Sequence, residues 1–430
     1  MKKIKLKTVK GTISIAARGF GFVTPEDGSL DIFIPKRFIN GAIDKDFVEV
    51  LVSSIEKVKG PEGEILKIIK RGRSHLVATI IDKKHNYYVG FVSMIGTTRY
   101  AHIETPQKLK EGDRVLIKVE DWADENLPII GSYEKLFGNI NNAETDIPVA
   151  ITEYGLEQEF SKQTILDAKK IKEIDPLELE KRKDFTSIEC FTIDPTTAKD
   201  YDDAVSCTQD EKGFHLGVHI ADVAHYVQPE SHLDKDAFKR CNSTYFPGFC
   251  LPMLPFELSN EMCSLKEGVI RLCISVMMDF DKHGNLHSHH IYRSFIKSKK
   301  RFTYDEAFEV IEKKKNSPFR ESLQHMVDLC KLLKQKRLER GSIDFALSEA
   351  SVQVDDKGNP TGIKIIEYDI SHQLVEEFML KANECVAIYL NKKGKMLIYR
   401  IHEEPTKETF EEFYSFAQLL GFRLPKKTKS

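Results

Sequence analysis

The sequence predicts an α+β multidomain chain in which two small N-terminal β-barrels precede a mixed α/β body. Three observations predict it. Two successive runs of short alternating strands fill roughly the first third. Near residue 140 they give way to a charged, helix-favouring run, and from about residue 186 strands and helices mix around a dense acidic block. The boundaries follow as 1–74 and 75–139 for the barrels, 140–185 for a helical linker and 186–430 for the body.

In the first barrel the expected strands are Gly11-Thr-Ile-Ser-Ile, Gly19-Phe-Gly-Phe-Val, Asp31-Ile-Phe-Ile and Phe47-Val-Glu-Val-Leu-Val, punctuated by turns such as Pro25-Glu-Asp-Gly28. The second repeats the rhythm with Leu76-Val-Ala-Thr-Ile-Ile, Tyr87-Tyr-Val-Gly-Phe-Val, Arg114-Val-Leu-Ile-Lys-Val and Pro128-Ile-Ile-Gly-Ser. Within the linker the charged, helix-favouring run spans Glu157 to Lys183, with few aromatics. Helices are expected over Asp305–Lys315, Pro318–Arg340 and His372–Leu390, the last carrying Leu374, Val375, Phe378 and Ala382 at helical spacing.

Composition narrows the class. No stretch approaches the roughly 18 to 20 apolar residues of a membrane span, and MKKIKLKTVK lacks a leader's apolar block, so a cytoplasmic protein without a membrane partner is expected. The eight cysteines show no Cys-x-x-Cys spacing and read as reduced thiols. Net charge is −2, but residues 1–75 carry +6 and the remainder −8. A basic front joined to an acidic body suits capture of a polyanion followed by metal-assisted chemistry.

The run Arg18-Gly-Phe-Gly-Phe-Val23 sets Phe20 and Phe22 two residues apart, on one face of a strand, and Phe33 can join them. Rings on an open sheet face stack bases, each for roughly 1–3 kcal/mol, with Arg18, Lys36 and Arg37 near the phosphates. The same alternation also fits a buried sheet face. The two glycines favour the open face, because glycine admits a base close to the backbone. In the second barrel Tyr87, Tyr88, Phe91 and Tyr100 are weaker hints. The first stretch resembles a cold-shock domain, whose Gly-Phe-Gly-Phe segment and following Phe form an RNA-binding face.

The strongest signal is Thr192-Ile-Asp-Pro-Thr-Thr-Ala-Lys-Asp-Tyr-Asp-Asp-Ala-Val205, with Asp194, Asp200, Asp202 and Asp203 inside ten residues. Acidic runs are usually solvated loops. Here apolar Phe191, Ile193, Ala204 and Val205 flank the run, so the carboxylates sit at the lip of a core, where unpaired charge is costly. Magnesium, a hard cation that takes oxygen ligands, offsets that cost and suits phosphodiester hydrolysis. Calcium-loop spacing is absent. Asp194 is expected at one strand end, the other three in the returning loop.

This block resembles that of the ribonuclease II / ribonuclease R family. The likeness continues through Val218-His-Ile-Ala-Asp-Val223, Tyr245-Phe-Pro247, Leu251-Pro-Met-Leu-Pro255, Leu258-Ser-Asn260 and Cys263-Ser-Leu265. Beyond these come Gly341-Ser-Ile-Asp-Phe345, Glu376-Glu377, Ala382-Asn383 and Arg400-Ile-His402. It covers about residues 11–424 and makes the barrels cold-shock/OB-type and the body a ribonuclease II-type catalytic domain; the paired barrels fit the ribonuclease R branch.

The resemblance implies a magnesium-dependent, hydrolytic, processive 3′→5′ exoribonuclease that degrades RNA to 5′-mononucleotides. Its partner would be single-stranded RNA, or structured RNA with a 3′ overhang. Asp194 and Asp203 would be direct magnesium ligands, Asp200 and Asp202 would assist, Tyr245 and Phe345 would sandwich the terminal base, and Glu377 would organise the site. His219 and Asp222 are read as a structural polar pair of which strand alternation buries one.

The family's Thr-Ser-Pro-x-Arg-Arg-Tyr block has no counterpart here. The expectation is an incomplete catalytic domain, lacking its end and the C-terminal OB domain. The alternatives are a weakly active or non-catalytic RNA-binding remnant, or one half of a split ribonuclease whose C-terminal half is a separate polypeptide.

Overall fold

The computed structural model describes residues 7–16, 18–54, 61–96, 99–123, 127–343, 348–401 and 404–424. Strands β1 (Lys7–Ile15), β2 (Gly21–Pro25), β3 (Ile32–Ile34), β4 (Phe47–Ser54) and β5 (Glu62–Lys70) close a barrel in the order β1-β2-β3-β5-β4. The second barrel closes as β10-β8-β7-β6-β9, from β6 (His75–Lys83), β7 (Tyr88–Phe91), β8 (Tyr100–Glu104), β9 (Asp113–Asp121) and β10 (Ile129–Asn139). Alternation is the cause in both. Ile13, Val23, Ile32, Ile34, Val48, Val50 and Ile65 fill the first, and Leu76, Ala78, Ile80, Ile103, Val115 and Ile117 are among those that fill the second. Strands β5 and β8 are additions to the strands expected from sequence.

A buried ion pair lies at the joint of the barrels. Asp46, fully buried, accepts from Nη1 of Arg71 at 2.7 Å and from the Gly72 N–H at 2.8 Å. The guanidinium lies 4.0 Å from the ring centre of Trp122 in the turn after β9. The pair is therefore satisfied from both barrels.

The linker region forms three short helices, α1 (Asp146–Tyr154), α2 (Lys162–Lys170) and α3 (Pro176–Glu180). Ser161 caps α2 through the Thr164 N–H, and Asp175 caps α3, which opens on proline. Further on come β11 (Lys183–Asp184), β12 (Phe191–Asp194), β13 (Asp203–Gln209), β14 (Gly213–Ala221), α4 (Val223–Tyr226), α5 (His232–Arg240), the hairpin β15 (Thr244–Phe246) and β16 (Phe249–Leu251), β17 (Ile270–Asp281), β18 (Leu286–Lys297) and β19 (Lys300–Thr303). Helices α6 (Tyr304–Ile311) and α7 (Arg320–Glu339), the hairpin β20 (Glu349–Val354) and β21 (Pro360–Ile366), then α8 (Ile370–Lys392) and α9 (Lys407–Leu419) complete the described chain.

Two compact units divide these elements. The first holds residues 1–172, 224–259 and 347–367, and the second 173–223, 260–346 and 368–430. In the second unit a seven-stranded sheet of order β11-β18-β17-β14-β13-β12-β19 carries α6, α7 and α8 on one face. Leu323, Met326, Val327, Cys330 and Leu333 of α7 meet Val205, Leu216, Val218, Val276 and Met278, while Leu374, Phe378, Ala382 and Cys385 form the buried stripe of α8. The helical spacing read over His372–Leu390 is thus the packing stripe, with Val375 only partly buried. All eight cysteines are free thiols, six of them buried. Among the described residues no helix is long and apolar enough to cross a membrane.

Candidate active site and nucleic-acid interface

Asp194 ends β12, Asp203 begins β13, and the loop between them carries Asp200 and Asp202. Strand β12 pairs in parallel with β19, setting Asp194 opposite Thr303, and β13 pairs antiparallel with β14 over Asp203–Gln209. Both ends of the loop are therefore fixed by sheet hydrogen bonds. Its middle is stapled by the buried Ser264 hydroxyl, which donates to the Lys199 carbonyl at 3.0 Å and accepts from the Tyr201 N–H at 3.1 Å. The Leu265 N–H donates to the Tyr201 carbonyl at 2.8 Å, and the Ala221 N–H to that of Asp202 at 2.9 Å.

Depth differs among the four aspartates. Asp194 is 8% exposed. Burial pushes its carboxyl up to about 6 from an ordinary 3.8, and the charges of Asp203 and Asp200 add to the effect. Thr192 and Arg301 oppose it, yet neither the Thr192 hydroxyl nor Oδ2 of Asp194 completes a hydrogen bond of normal geometry. Asp203, half-buried, is raised by desolvation. Asp202 is exposed to solvent by area; surrounding protein, then Asp200 and Asp203, raise its proton affinity, and access to water makes the effect weaker than at Asp194.

These groups fit a divalent cation in one specific sense. Among the described residues no three His, Cys, Asp or Glu side chains stand close enough to cage an ion unaided. Magnesium commonly binds through one or two carboxylates while water and substrate phosphates fill its octahedron. A buried, unbonded carboxylate oxygen beside further acids offers that partial donor set.

Two neighbours escaped the sequence reading. Tyr304, first residue of α6, has its phenol pushed up to about 12 by burial, then by Asp203 and Asp194, which places it beside the acids. Its ring stacks on His372 at 3.9 Å, and His372 is in turn held by Asp369, Nδ1 to Oδ1 at 3.0 Å. Arg301 of β19 reaches back over the acidic loop. Neither lies near the acids in sequence; both arrive through the parallel β12–β19 pairing, which spacing alone does not reveal.

Other expected residues are placed differently. Glu377, 5% exposed on α8, is bound to Arg337 of α7 at 2.7 Å, and Arg337 also donates to the Ser342 hydroxyl. Its local task in this structure is to join two helices. Tyr245 stands 67% exposed on hairpin β15–β16 in the first unit. Phe345 lies outside the described residues. His219 and Asp222 are both buried, and each has its own partners. His219 lies 2.6 Å from the Ser275 hydroxyl and 3.2 Å from that of Ser206, and burial pushes it down to about 4. Asp222 pairs with Arg182 at 2.6 Å, and Arg182 also binds Glu178.

On the first barrel Phe20, Phe22 and Phe33 form one cluster, with ring centres 5.6 to 5.8 Å apart. Phe22 faces Phe33 across the β2–β3 pair and is 40% exposed, whereas Gly21 and Val23 point inward. The open-face reading therefore holds, with two corrections. Phe20 precedes β2 and joins the cluster from the turn. The glycines serve packing and the turn: a Cβ on Gly21 would meet Ile13 Cδ1 at 2.9 Å, and Gly19 has φ +85° under the Lys36 side chain. Arg18, Lys36 and Arg37 are exposed nearby in sequence.

On the second barrel Tyr87 stacks on His102 at 4.2 Å and Phe91 pairs with Tyr100 across β7–β8. Tyr88 belongs to the core, its hydroxyl accepting from the Leu109 N–H.

Comparison with known proteins fits this architecture. Residues 182–430 match the RNB domain, residues 11–68 the Ribonuclease B OB domain and residues 98–161 a cold shock domain. Ribonuclease R of Chlamydia pneumoniae is 42% identical over 96% of this chain and 63% of its own length, and that of Chlamydia trachomatis 40% identical over 99% and 63%. The chain thus spans about 63% of the length of these curated relatives. The structure of Mycoplasma genitalium RNase R in complex with ribose-methylated single-stranded RNA superposes with TM-score 0.81 at 26% identity, covering 98% of this chain and 67% of that one. With more than half of its residues matched by the RNB domain, and barrels of the matching kind ahead of it, the chain belongs to the RNB-domain family, among the relatives of ribonuclease R.

Proposed function

We propose that this chain carries the RNA-capturing barrels and the acidic half of the active site of a magnesium-dependent, hydrolytic 3′→5′ exoribonuclease releasing 5′-mononucleotides. Its substrate would be cytoplasmic single-stranded RNA, or structured RNA with a 3′ overhang. The observation that carries the reading is Asp194, buried with an unbonded oxygen beside Asp203 at the mouth of a tightly stapled loop. Such a carboxylate is costly unless a cation occupies it.

Asp194 and Asp203 would hold magnesium, with Asp200 and Asp202 assisting from the loop. Bound there, magnesium supplies an activated water and charge for the leaving oxygen. The staples at Ser264 and Ala221 keep the loop from splaying when its charges repel one another. The rings of Phe20, Phe22 and Phe33 would hold bases upstream.

A second reading is favoured by a specific observation. Met396, Ile398, Ile401, Phe413, Phe416 and Leu419 are exposed, from 56% at Phe413 to 101% at Met396. An apolar surface of this kind calls for a cover. We infer that a further segment of an RNB-type domain, continuous or supplied as a separate C-terminal half, packs there and that without it the chain binds RNA but cuts slowly. A missing electrostatic contact to the phosphate typically lowers turnover by about 100- to 1,000-fold.

The test is a magnesium-dependent time course on a 5′-labelled oligoribonucleotide, with and without a purified polypeptide carrying that segment. Digestion from the 3′ end should appear or accelerate on addition and should vanish in Asp203→Asn. Digestion by Asp203→Asn as fast as by the unaltered chain would refute the metal-site reading.

A further inference from the structure

The loop from Pro195 to Asp202 connects two ligand-bearing strand ends without regular structure of its own. Ordering such a segment costs roughly 1–2 kcal/mol per residue, so side chains that fix it contribute to the site without touching substrate. The half nearest Asp203 is held by Ser264 and Ala221. The half nearest Asp194 is held by Arg301.

Arg301 lies on β19 with its Cα in register with Thr192, two residues before Asp194. Its Nη2 donates to the Pro195 carbonyl at 2.7 Å and reaches that of Thr196 at 3.4 Å, and the guanidinium carbon lies 5.5 Å from the centre of the Tyr201 ring. One planar group thereby binds the first residues of the loop and lies over the ring of its seventh, Tyr201. Its own backbone is fixed, since the Arg301 N–H donates to Oε2 of Glu267 at 3.0 Å. Through Nη2 it shapes the loop by its carbonyls, while its Nε is buried without a hydrogen-bond partner.

Resting on the metal-site reading above, we propose that Arg301 is a positioning residue that holds the Asp194 side of the acidic loop in the form that receives a divalent cation. The guanidinium plane is what matters: Nη2 alone meets both carbonyls while the plane lies over the Tyr201 ring, and a lysine ammonium could reach a carbonyl but could not also cover that ring.

The experiment uses manganese, an oxygen-seeking divalent probe with a paramagnetic signal. Binding to the full chain is followed by electron paramagnetic resonance for the unaltered protein, Arg301→Lys, Arg301→Met and Asp203→Asn, alongside thermal unfolding in chelator. Loss of a supporting contact around a metal site costs about 10- to 100-fold in metal affinity. Both Arg301 variants should show that loss, with unfolding in chelator little changed for Arg301→Lys. The lysine variant keeps stem and charge and carries the test if Arg301→Met fails to fold.

If Arg301 acted through charge alone, Arg301→Lys would bind as the unaltered chain does and Arg301→Met would bind more tightly; that result overturns the proposal. Equal affinity in all three also overturns it. If the unaltered chain binds manganese no better than Asp203→Asn, the metal-site reading falls first and takes this one with it.

Discussion

Replacing Asp194 with asparagine should make the protein more stable at neutral pH. The carboxyl is 8% exposed and is pushed up to about 6 from 3.8, chiefly by burial. A carboxyl raised on folding contributes its stability below the unfolded value and loses it as pH rises through the folded one. The loss thus accumulates between about pH 4 and pH 6 and is complete above. A shift from 3.8 to about 6 corresponds to about 3 kcal/mol, and relaxation of water and protein around the charge reduces it to about 1–2 kcal/mol. Asparagine removes that penalty at nearly the same volume. In chelator at about pH 7.5, urea unfolding of the second unit, followed by pulse proteolysis, should show the variant more stable by about 1–2 kcal/mol, and at about pH 4 nearly equal. Magnesium at pH 7.5 should then stabilise the unaltered chain and leave the variant unmoved. An Asp194→Asn chain that is less stable than the unaltered one at neutral pH in chelator would show that the carboxylate is satisfied within the protein, and the reasoning fails.

Three further outcomes follow from the contacts described. Phe20→Ala with Phe22→Ala should weaken binding of single-stranded RNA by at least about 30-fold, from roughly 1–3 kcal/mol for each of two lost stacks, measured by fluorescence anisotropy. A large drop in melting temperature with unchanged affinity would instead make the rings core residues. Ser264→Ala, which strips the Lys199 carbonyl and Tyr201 N–H of a buried partner, should cost about 1–3 kcal/mol and speed proteolysis within 195–202; an unaltered cleavage pattern counts against the staple. Arg182→Ala leaves Asp222 buried without its cation, while Glu178 keeps Arg293, and should destabilise the second unit by about 3–5 kcal/mol in chemical unfolding. A loss below 1 kcal/mol, of the size of an exposed ion pair, would show that water reaches these groups.

What the sequence revealed was what local periodicity encodes. Alternation gave the barrels, helical spacing gave the buried stripe of α8, and four aspartates between apolar residues gave the two strand ends. Pairing between strands far apart in sequence was hidden. Arg301 and Tyr304 reach the acids because β19 lies beside β12, more than a hundred residues away, and no spacing rule reports that. The partner of Glu377 was hidden in the same way: a carboxylate at a recognisable position says nothing of the arginine one helix away that binds it. His219 and Asp222 were read as one polar pair, but strand β14 ends between them, so each meets a different set of neighbours.

On the proposed RNA-capturing role of the barrels, the Asp46–Arg71–Trp122 joint bears on how a strand would be gripped. Because the pair is buried on one side and covered by an indole on the other, the aromatic face of the first barrel and that of the second are tethered at a set span. For an oligonucleotide held by both faces, the second contact would be made at an effective concentration fixed by geometry, and avidity would rise steeply at one threshold length. Trp122 is the sole indole in the chain, so its emission reports the tether directly. Arg71→Ala would slacken it, turning a sharp dependence on oligonucleotide length into a gradual one while each face keeps its own affinity.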